Sequence, residues 1–407
     1  MLYRRFGRTG IQMPVFSTGG MRYQDGWQDK PLDQIDPRTT DNMRAIIARS
    51  LELGIPHIET AKGYGPSERQ LGVVLSEHPR DAFILQTKGG PTETGKEFRV
   101  RFEQQCERLQ TDRIDLYGMH GINTFELLER TVRPGGCLEE ARRLQEQGRL
   151  GHVGFSTHAP LPVILETIRS EAFGGFDYVN LHWYFIFQRN APAIAEANAR
   201  DMGVFVISPT DKGGRLQDPS PEMTRLCAPL HPIVFNDLWC LRQQGHGGVD
   251  TLSLGAARPS DYDLHLEAVG HMERGDVHVD ALIDPIVQKL GDAMEAATGH
   301  RDPEHQVYDG VPEYYDNEHG LHASVMLWLR NVALGWGLTE YGRSRFGMLG
   351  KADHYFPGIG GKEAASISDD QLLELFRDSP ARDELPARLR DSIARLDGVE
   401  GKRLSSA

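Results

Sequence analysis

The chain has 407 residues, 39% of them hydrophobic and 25% charged, with a formal charge of −13. That length can bury a large core, the composition is that of an ordered globular chain rather than a disordered or fibrous one, and the acidic balance, without a Lys/Arg block, excludes the basic surfaces that attract nucleic acid or anionic membrane. Cys106, Cys137, Cys227 and Cys240 form no CxxC pair, so zinc-ribbon and iron–sulfur sites lack their ligands and the thiols read as reduced.

The opening MLYRRFGRTGIQMP lacks the apolar stretch of a signal peptide, and the most apolar later run, Val325 to Leu338, holds Arg330 and Asn331. A soluble cytoplasmic protein is therefore expected. From residue 14 onward short apolar runs read as strands: Val15 to Gly19, Pro56 to Thr60, Phe83 to Thr87, Ile114 to His120, Gly151 to Ser156, Tyr178 to Leu181, Val204 to Ser208 and Thr251 to Leu254. Between them lie amphipathic stretches of helical composition, among them Asp41 to Leu53, Ser67 to Glu77, Glu97 to Leu109, Leu138 to Gln147 and Ala191 to Asp201. Such units, spaced by about 30 residues, predict a parallel sheet closed into a (β/α)8 TIM barrel. An open doubly wound sheet would carry a glycine fingerprint after its first strand. Here that strand ends in Gly19-Gly20-Met21-Arg22 with no GxGxxG behind it.

Beyond about residue 275 the strand signal stops. Val279 to Ala297, His322 to Tyr341, and Asp369 to Leu396 with a proline interruption read as helices. The expected division is a barrel over 1–275 and an all-helical C-terminal extension over 276–407.

In a TIM barrel the active site gathers where the strands end, so polar residues at those points carry the information. The second strand runs out in HIETAKGYG with Glu59 and Tyr64, the third in QTKGG with Lys88, and the fourth in LYGMH with His120. A phenol of ordinary pKa about 10 becomes an acid–base near neutrality only beside a charge that stabilises its phenolate. Lys88 could supply that field, Glu59 could fix the lysine, and His120 could donate to the same substrate oxygen.

These segments resemble the aldo-keto reductase family over about residues 1 to 270. YRRFGRTGIQMP resembles its N-terminal hairpin, HIETAKGYGPSE its DTAxxYGxSE segment, FILQTKGG the strand with its lysine, and IDLYGMH its IDLYxxH. The resemblance implies Tyr64 as general acid–base, Lys88 as the group lowering its pKa, and His120 as the group orienting the carbonyl. Glu59 stands where the family has aspartate, which extends its reach by roughly an ångström.

The resemblance also implies a nicotinamide dinucleotide, NADH or NADPH, laid across the barrel rim. Gly20 and Met21 end the first strand, Ser156 and Thr157 match the carboxamide positions, and Ser208 closes strand seven. Lys212, Gly213 and Leu216 resemble the loop over the pyrophosphate. Gly255, Ala256 and Arg258 resemble the phosphate turn after strand eight, with His265 in the helix that follows. Asp261 occupies a place where many NADPH-preferring members have arginine, so NADH should be tolerated. Ile207 stands where an aromatic residue often covers the nicotinamide, leaving Trp183 or Tyr184 to do so.

Tyr23, Trp27, His158 and Trp183 would suit a hydroxylated substrate such as a sugar. The implied activity is hydride exchange between nicotinamide and a substrate carbonyl or alcohol, and a homo-oligomer is compatible with it. Glu59 and Ile207 also leave room for a nucleotide-binding regulatory or structural subunit with negligible turnover. A redox-neutral enzyme with tightly held cofactor is a third reading.

Two other patterns point elsewhere. Residues 90–96, GPTETGK, match part of a P-loop, but Glu97 replaces the Mg²⁺-binding hydroxyl. The sixteen histidines show no HExxH or other matched metal spacing. In the extension, LTEYGRSRFGMLGKADHYFPG resembles the tail of a larger subgroup, some members of which add a cysteine-rich segment that this sequence lacks. Arg343, Arg345, His354 and Tyr355 make that tail polar-aromatic, which favours a place near the substrate pocket.

Overall fold

The structure is a computed structural model and describes residues 1–23, 25–242, 248–304, 309–351 and 356–398. His354 and Tyr355 lie outside the described residues. Two short strands, β1 (Tyr3–Arg5) and β2 (Gln12–Pro14), pair antiparallel as a hairpin. The apolar runs then become β3 (Phe16–Gly19), β4 (His57–Glu59), β5 (Ile84–Gly89), β6 (Ile114–His120), β7 (Leu150–Ser156), β8 (Tyr178–Leu181), β9 (Gly203–Val206) and β10 (Thr251–Leu254). These eight parallel strands close into a barrel in the order β10-β3-β4-β5-β6-β7-β8-β9, the TIM barrel expected from the sequence.

The helices along this part of the chain are α1 (Pro37–Glu52), α2 (Ser67–Leu75), α3 (Gly95–Leu109), α4 (Phe125–Val132), α5 (Cys137–Glu146), α6 (Leu161–Arg169), α7 (Ala191–Ala199), α8 (Pro221–Cys227), α9 (Pro232–Leu241) and α10 (Asp263–Met272). Local chemistry starts them. Asp36 accepts from the Arg38 N–H ahead of Pro37, which opens α1. Thr94 accepts from the Glu97 N–H at 3.2 Å while Glu97 accepts from the Glu93 N–H at 3.1 Å. The GPTETGK segment is thus the cap of α3, which accounts for Thr94 and Glu97 without a phosphate.

Two compact units divide the described chain. The first, the barrel unit, takes 1–184, 189–210 and 236–276; the second takes 277–407 together with 185–188 and 211–235. Within the second are α11 (Asp276–Thr298, from its second residue), α12 (Ala323–Trp336), α13 (Thr339–Phe346), α14 (Gly361–Ser366), α15 (Asp369–Leu375) and α16 (Leu385–Leu396). Indole and hydroxyl donors tie them: Trp336 Nε1 donates to the Leu290 carbonyl at 3.0 Å and Ser392 Oγ to that of Met326 at 2.6 Å. The single helix expected over His322 to Tyr341 is broken, because Gly337 takes φ +66 and ends α12 as a left-handed cap. Among the described residues no helix is long and apolar enough to cross a membrane.

Inside the barrel, strand alternation sets Ser17, His57, Gln86, Tyr178 and Thr251 inward, above a floor of Phe6, Met13, Leu116 and Phe205. His57 is fully buried, and burial pulls its pKa down to about 3. The unfolded chain takes up a proton on this ring below about pH 6.5, whereas the folded one refuses it until about 3. Stability is therefore full above pH 6.5 and falls as pH drops through that window, by about 1.4 kcal/mol per unit. Urea midpoints measured from pH 7 to 4.5 should fall, and His57→Gln should remove one proton from the slope. An unchanged slope in that variant would show that His57 contributes nothing to acid sensitivity.

Candidate active site

The C-terminal ends of β4, β5 and β6 bring Tyr64, Lys88 and His120 together. After β4 the chain is pinned to its neighbour strand: the Thr60 N–H donates to the Gln86 carbonyl at 2.8 Å and the Lys62 N–H to that of Lys88 at 2.9 Å. Tyr64 closes the turn by donating its N–H to the Ala61 carbonyl at 3.0 Å. The His120 ring meets the Tyr64 ring edge-on, with centroids 6.0 Å apart at 90°. Trp27 does the same from the opposite loop, at 6.4 Å and 90°. Gly65 permits that approach, since at φ +53 any Cβ would lie 2.0 Å from the Gly26 carbonyl oxygen. Tyr23, 2% exposed, lies close enough to Tyr64 to feel its charge.

Lys88 and Glu59 form a buried ion pair on adjacent strands. Glu59 also accepts from Ser253 Oγ at 3.2 Å, and Gly19 leaves space for it, because a Cβ there would sit 3.3 Å from Glu59 Oε1. The Lys88 ammonium stands over the Tyr64 ring face, 5.1 Å from its centroid. Burial pulls Lys88 down to about 7, and the carboxylate in contact works against that by holding its proton. The sequence suggests that Lys88 lowers the phenol's pKa. In the structure burial pushes Tyr64 well above its ordinary value. The shift comes from desolvation, which penalises the charged phenolate.

The remaining candidates divide. Ser156 and Thr157 end β7, both 1% exposed, with Thr157 Oγ1 donating to the Ile122 carbonyl at 2.8 Å. Gly20 is held against the Glu59 carbonyl, 2.6 Å from where a Cβ would be, and Met21 follows half-exposed. Ser208 takes a left-handed φ of +54 after β9. Gly255 and Ala256 follow β10, where Arg22 donates to the Gly255 carbonyl at 3.3 Å. Arg258 is exposed, and Asp261 turns back on it, accepting from its Nε at 3.1 Å and from the Ala257 N–H at 2.8 Å. His158 is half-buried, its N–H bonded to Asn123 Oδ1 at 2.8 Å, and its ring stacks on His182 at 4.6 Å.

Other candidates have partners of their own. His265 pairs with Asp237 at 2.5 Å and packs on Phe16 behind β3. Trp183 stacks on Trp239 at 5.0 Å and 27°. Tyr184 donates to the Ile207 carbonyl at 2.7 Å. Lys212, Gly213 and Leu216 belong to the second unit, where Tyr341 donates to the Lys212 carbonyl at 2.8 Å and burial pulls the Lys212 ammonium down to about 7.

One residue was missed. Asn180, inward on β8 and paired in register with Ser156, is fully buried with neither amide atom hydrogen-bonded. A planar carboxamide offers the acceptor and the donors that such a side chain lacks, so the residues present fit a nicotinamide. A polar residue inside the apolar run YVNL was the available signal. Among the described residues no group of three or more His, Cys, Asp or Glu could hold a metal ion.

The family described as "Aldo/keto reductase family" matches residues 16–239. Among curated relatives, L-glyceraldehyde 3-phosphate reductase of Escherichia coli is 26% identical over 39% of this chain and 46% of its own length. D-arabinose 1-dehydrogenase of Saccharomyces cerevisiae is 34% identical over 27% of this chain and 35% of its own. The chain thus spans less than half the length of these two curated relatives. The solved holo form of an aldo-keto reductase from Bacillus halodurans superposes with TM-score 0.56 at 21% identity, over 70% of this chain and 96% of that one, a likeness of fold.

Proposed function

The chain belongs to the aldo/keto reductase family of oxidoreductases, and from that premise we propose that it is an NAD(P)-dependent carbonyl reductase in which Tyr64 hands over the proton. The observation that carries this reading is the half-buried Tyr64 phenol at the strand ends, edge-on to His120 and beneath the Lys88 ammonium. A nicotinamide, when bound, would supply or accept the hydride. Ser156 and Asn180 would hold its carboxamide, and Gly255, Ala256 and Arg258 its phosphates, with Gly20, Met21 and Ser208 beside them.

The proton chemistry follows from the phenol. Because burial raises its pKa, Tyr64 stays protonated through the neutral range and acts as a general acid. As charge develops on the substrate oxygen, the Tyr64 proton moves to it, giving an alcohol and a tyrosinate. Lys88 stabilises that tyrosinate, and Glu59 keeps Lys88 in place. His120 orients the carbonyl oxygen. Alcohol oxidation would need the phenolate first, so reduction is the favoured direction at neutral pH.

For the substrate we take a hydroxylated aldehyde or ketone. Two relatives are named for glyceraldehyde phosphate and arabinose, and Tyr23, Trp27 and His158 offer aromatic and polar contacts. A stopped-flow panel of such carbonyls should oxidise bound NAD(P)H. No oxidation with any of them would overturn the enzyme reading.

Asp261 bears on the nucleotide. Its carboxylate accepts from Arg258 Nε and the Ala257 N–H, so the turn after β10 carries an acidic group where a second cation would be needed for a 2′-phosphate. A 2′-phosphate approaching that turn is repelled, so kcat/KM with NADH should at least equal that with NADPH, and Asp261→Arg should shift the ratio at least tenfold toward NADPH. Strict NADPH dependence in the unaltered enzyme would sink this assignment.

A further inference from the structure

The barrel below the Lys88–Glu59 pair is polar in a way the reaction at the rim leaves unused. Ser17, His57, Gln86, Tyr178 and Thr251 come from five different strands, and all are fully buried. One flank satisfies itself: Ser17 Oγ lies 2.6 Å from His57 Nδ1 and 2.7 Å from Thr251 Oγ1. The other flank does not. His57 Nε2, both amide atoms of Gln86 and the Tyr178 hydroxyl make no hydrogen bond within the protein. Gln86 stands close to the His57 ring yet outside hydrogen-bond geometry.

Each buried polar atom left without a partner costs about 1–3 kcal/mol, and several of them in one barrel interior mark a place where internal water completes the bonding. The compartment has definite walls. Its floor is the apolar layer of Phe6, Met13, Leu116 and Phe205, on which the Tyr178 ring rests. Its roof is the ion pair, since Lys88 is two residues beyond Gln86 on β5 and Glu59 two beyond His57 on β4. On β6, Gly118 removes the side chain that would part them: a Cβ there would sit 3.0 Å from Lys88 Cγ and 3.7 Å from the Tyr178 hydroxyl.

We propose that this compartment is a hydrated chamber, in which internal waters bridge His57, Gln86 and Tyr178 and reach the Lys88 ammonium from below. Gln86 and His57 are then positioning residues. The waters take ammonium N–H groups that Glu59 does not, and they hold Lys88 protonated in a site whose burial opposes the charge. The titratable groups around that ammonium are Glu59 and His57 of β4, Tyr64 beyond it, Tyr178 of β8 and His120 at the end of β6. The functional arm of this inference rests on the reading of Lys88 as the partner of Tyr64; the water itself does not.

Two measurements test it. In a crystal structure of the unaltered protein at about 1.5 Å resolution, ordered water should lie within hydrogen-bond distance of at least three of these four unpaired atoms. A dry interior with those groups bonded to one another would overturn the proposal whether or not any carbonyl is turned over. In the second, Gln86→Leu removes the amide that anchors the water while keeping a side chain of similar size, and Gln86→Asn keeps an amide and leaves room for water. The alkaline limb of the kcat profile for reduction should move down by about one pH unit in Gln86→Leu and stay in place in Gln86→Asn. Folded Gln86→Leu protein with an unshifted profile would overturn the positioning role.

Discussion

Tyr64→Phe is expected to lower kcat for carbonyl reduction by about 10²–10⁴-fold, the usual worth of a positioned proton donor, while the Kd for NAD(P)H changes by less than about twofold. The substitution removes one oxygen and leaves the ring. Its neighbours are ring neighbours: Trp27 and His120 meet it edge-on, and Lys88 sits over its face. Packing therefore survives, and the loss reads the hydroxyl alone. Kd is measured by quenching of protein fluorescence and kcat by the absorbance of reduced nicotinamide. The pH dependence has a definite sign. Reduction needs both Tyr64 and Lys88 protonated, so the rate should be flat at acid pH and fall as pH rises through the titration of Lys88, whose pKa burial pulls down to about 7. Turnover within tenfold of the unaltered enzyme in Tyr64→Phe would remove the tyrosine from the mechanism. It would point instead to the nucleotide-binding subunit, or to an acid other than this phenol.

The barrel was legible in the sequence because a parallel strand buried on both faces reads as a short apolar run, and β6, β8 and β10 fall where those runs lie. Tyr64, Lys88 and His120 were legible for a related reason: a polar residue at the end of such a run has one place to go in a closed barrel. What could not be read depends on partners distant in sequence. His265 looks accessible beside the phosphate turn, yet Asp237 draws it behind β3. The direction of the Tyr64 shift follows from desolvation among the rings and strand ends around it, which is a matter of packing and not of residue type. Asn180 was hidden because one polar residue in a four-residue strand resembles a strand end. The grouping of 185–188 and 211–235 with the second unit is a packing outcome that no local periodicity records.

The Lys88–Glu59 pair allows stability and catalysis to be separated. Glu59→Gln leaves the ammonium buried beside a neutral amide, and removing one partner of a buried pair typically costs about 3–5 kcal/mol. Lys88→Met strands the carboxylate instead, with Ser253 as a remaining donor, and should cost about as much. The double variant carries no buried charge, so its loss should be far smaller than the sum of the two, a coupling of about 2 kcal/mol or more by urea unfolding. Turnover should not follow stability: all three variants lose the cation that stabilises the tyrosinate, Glu59→Gln because its unsupported lysine sheds the proton at neutral pH. Glu59→Asp keeps the charge while shortening the reach, and should retain the pair and most of the stability. Additive losses in the double variant would mean that the two groups do not act as a pair, and a recovered kcat there would mean that Tyr64 works without them. The first outcome bears on the fold and the second on the reaction, which is why the cycle is read with both measurements on the same four proteins.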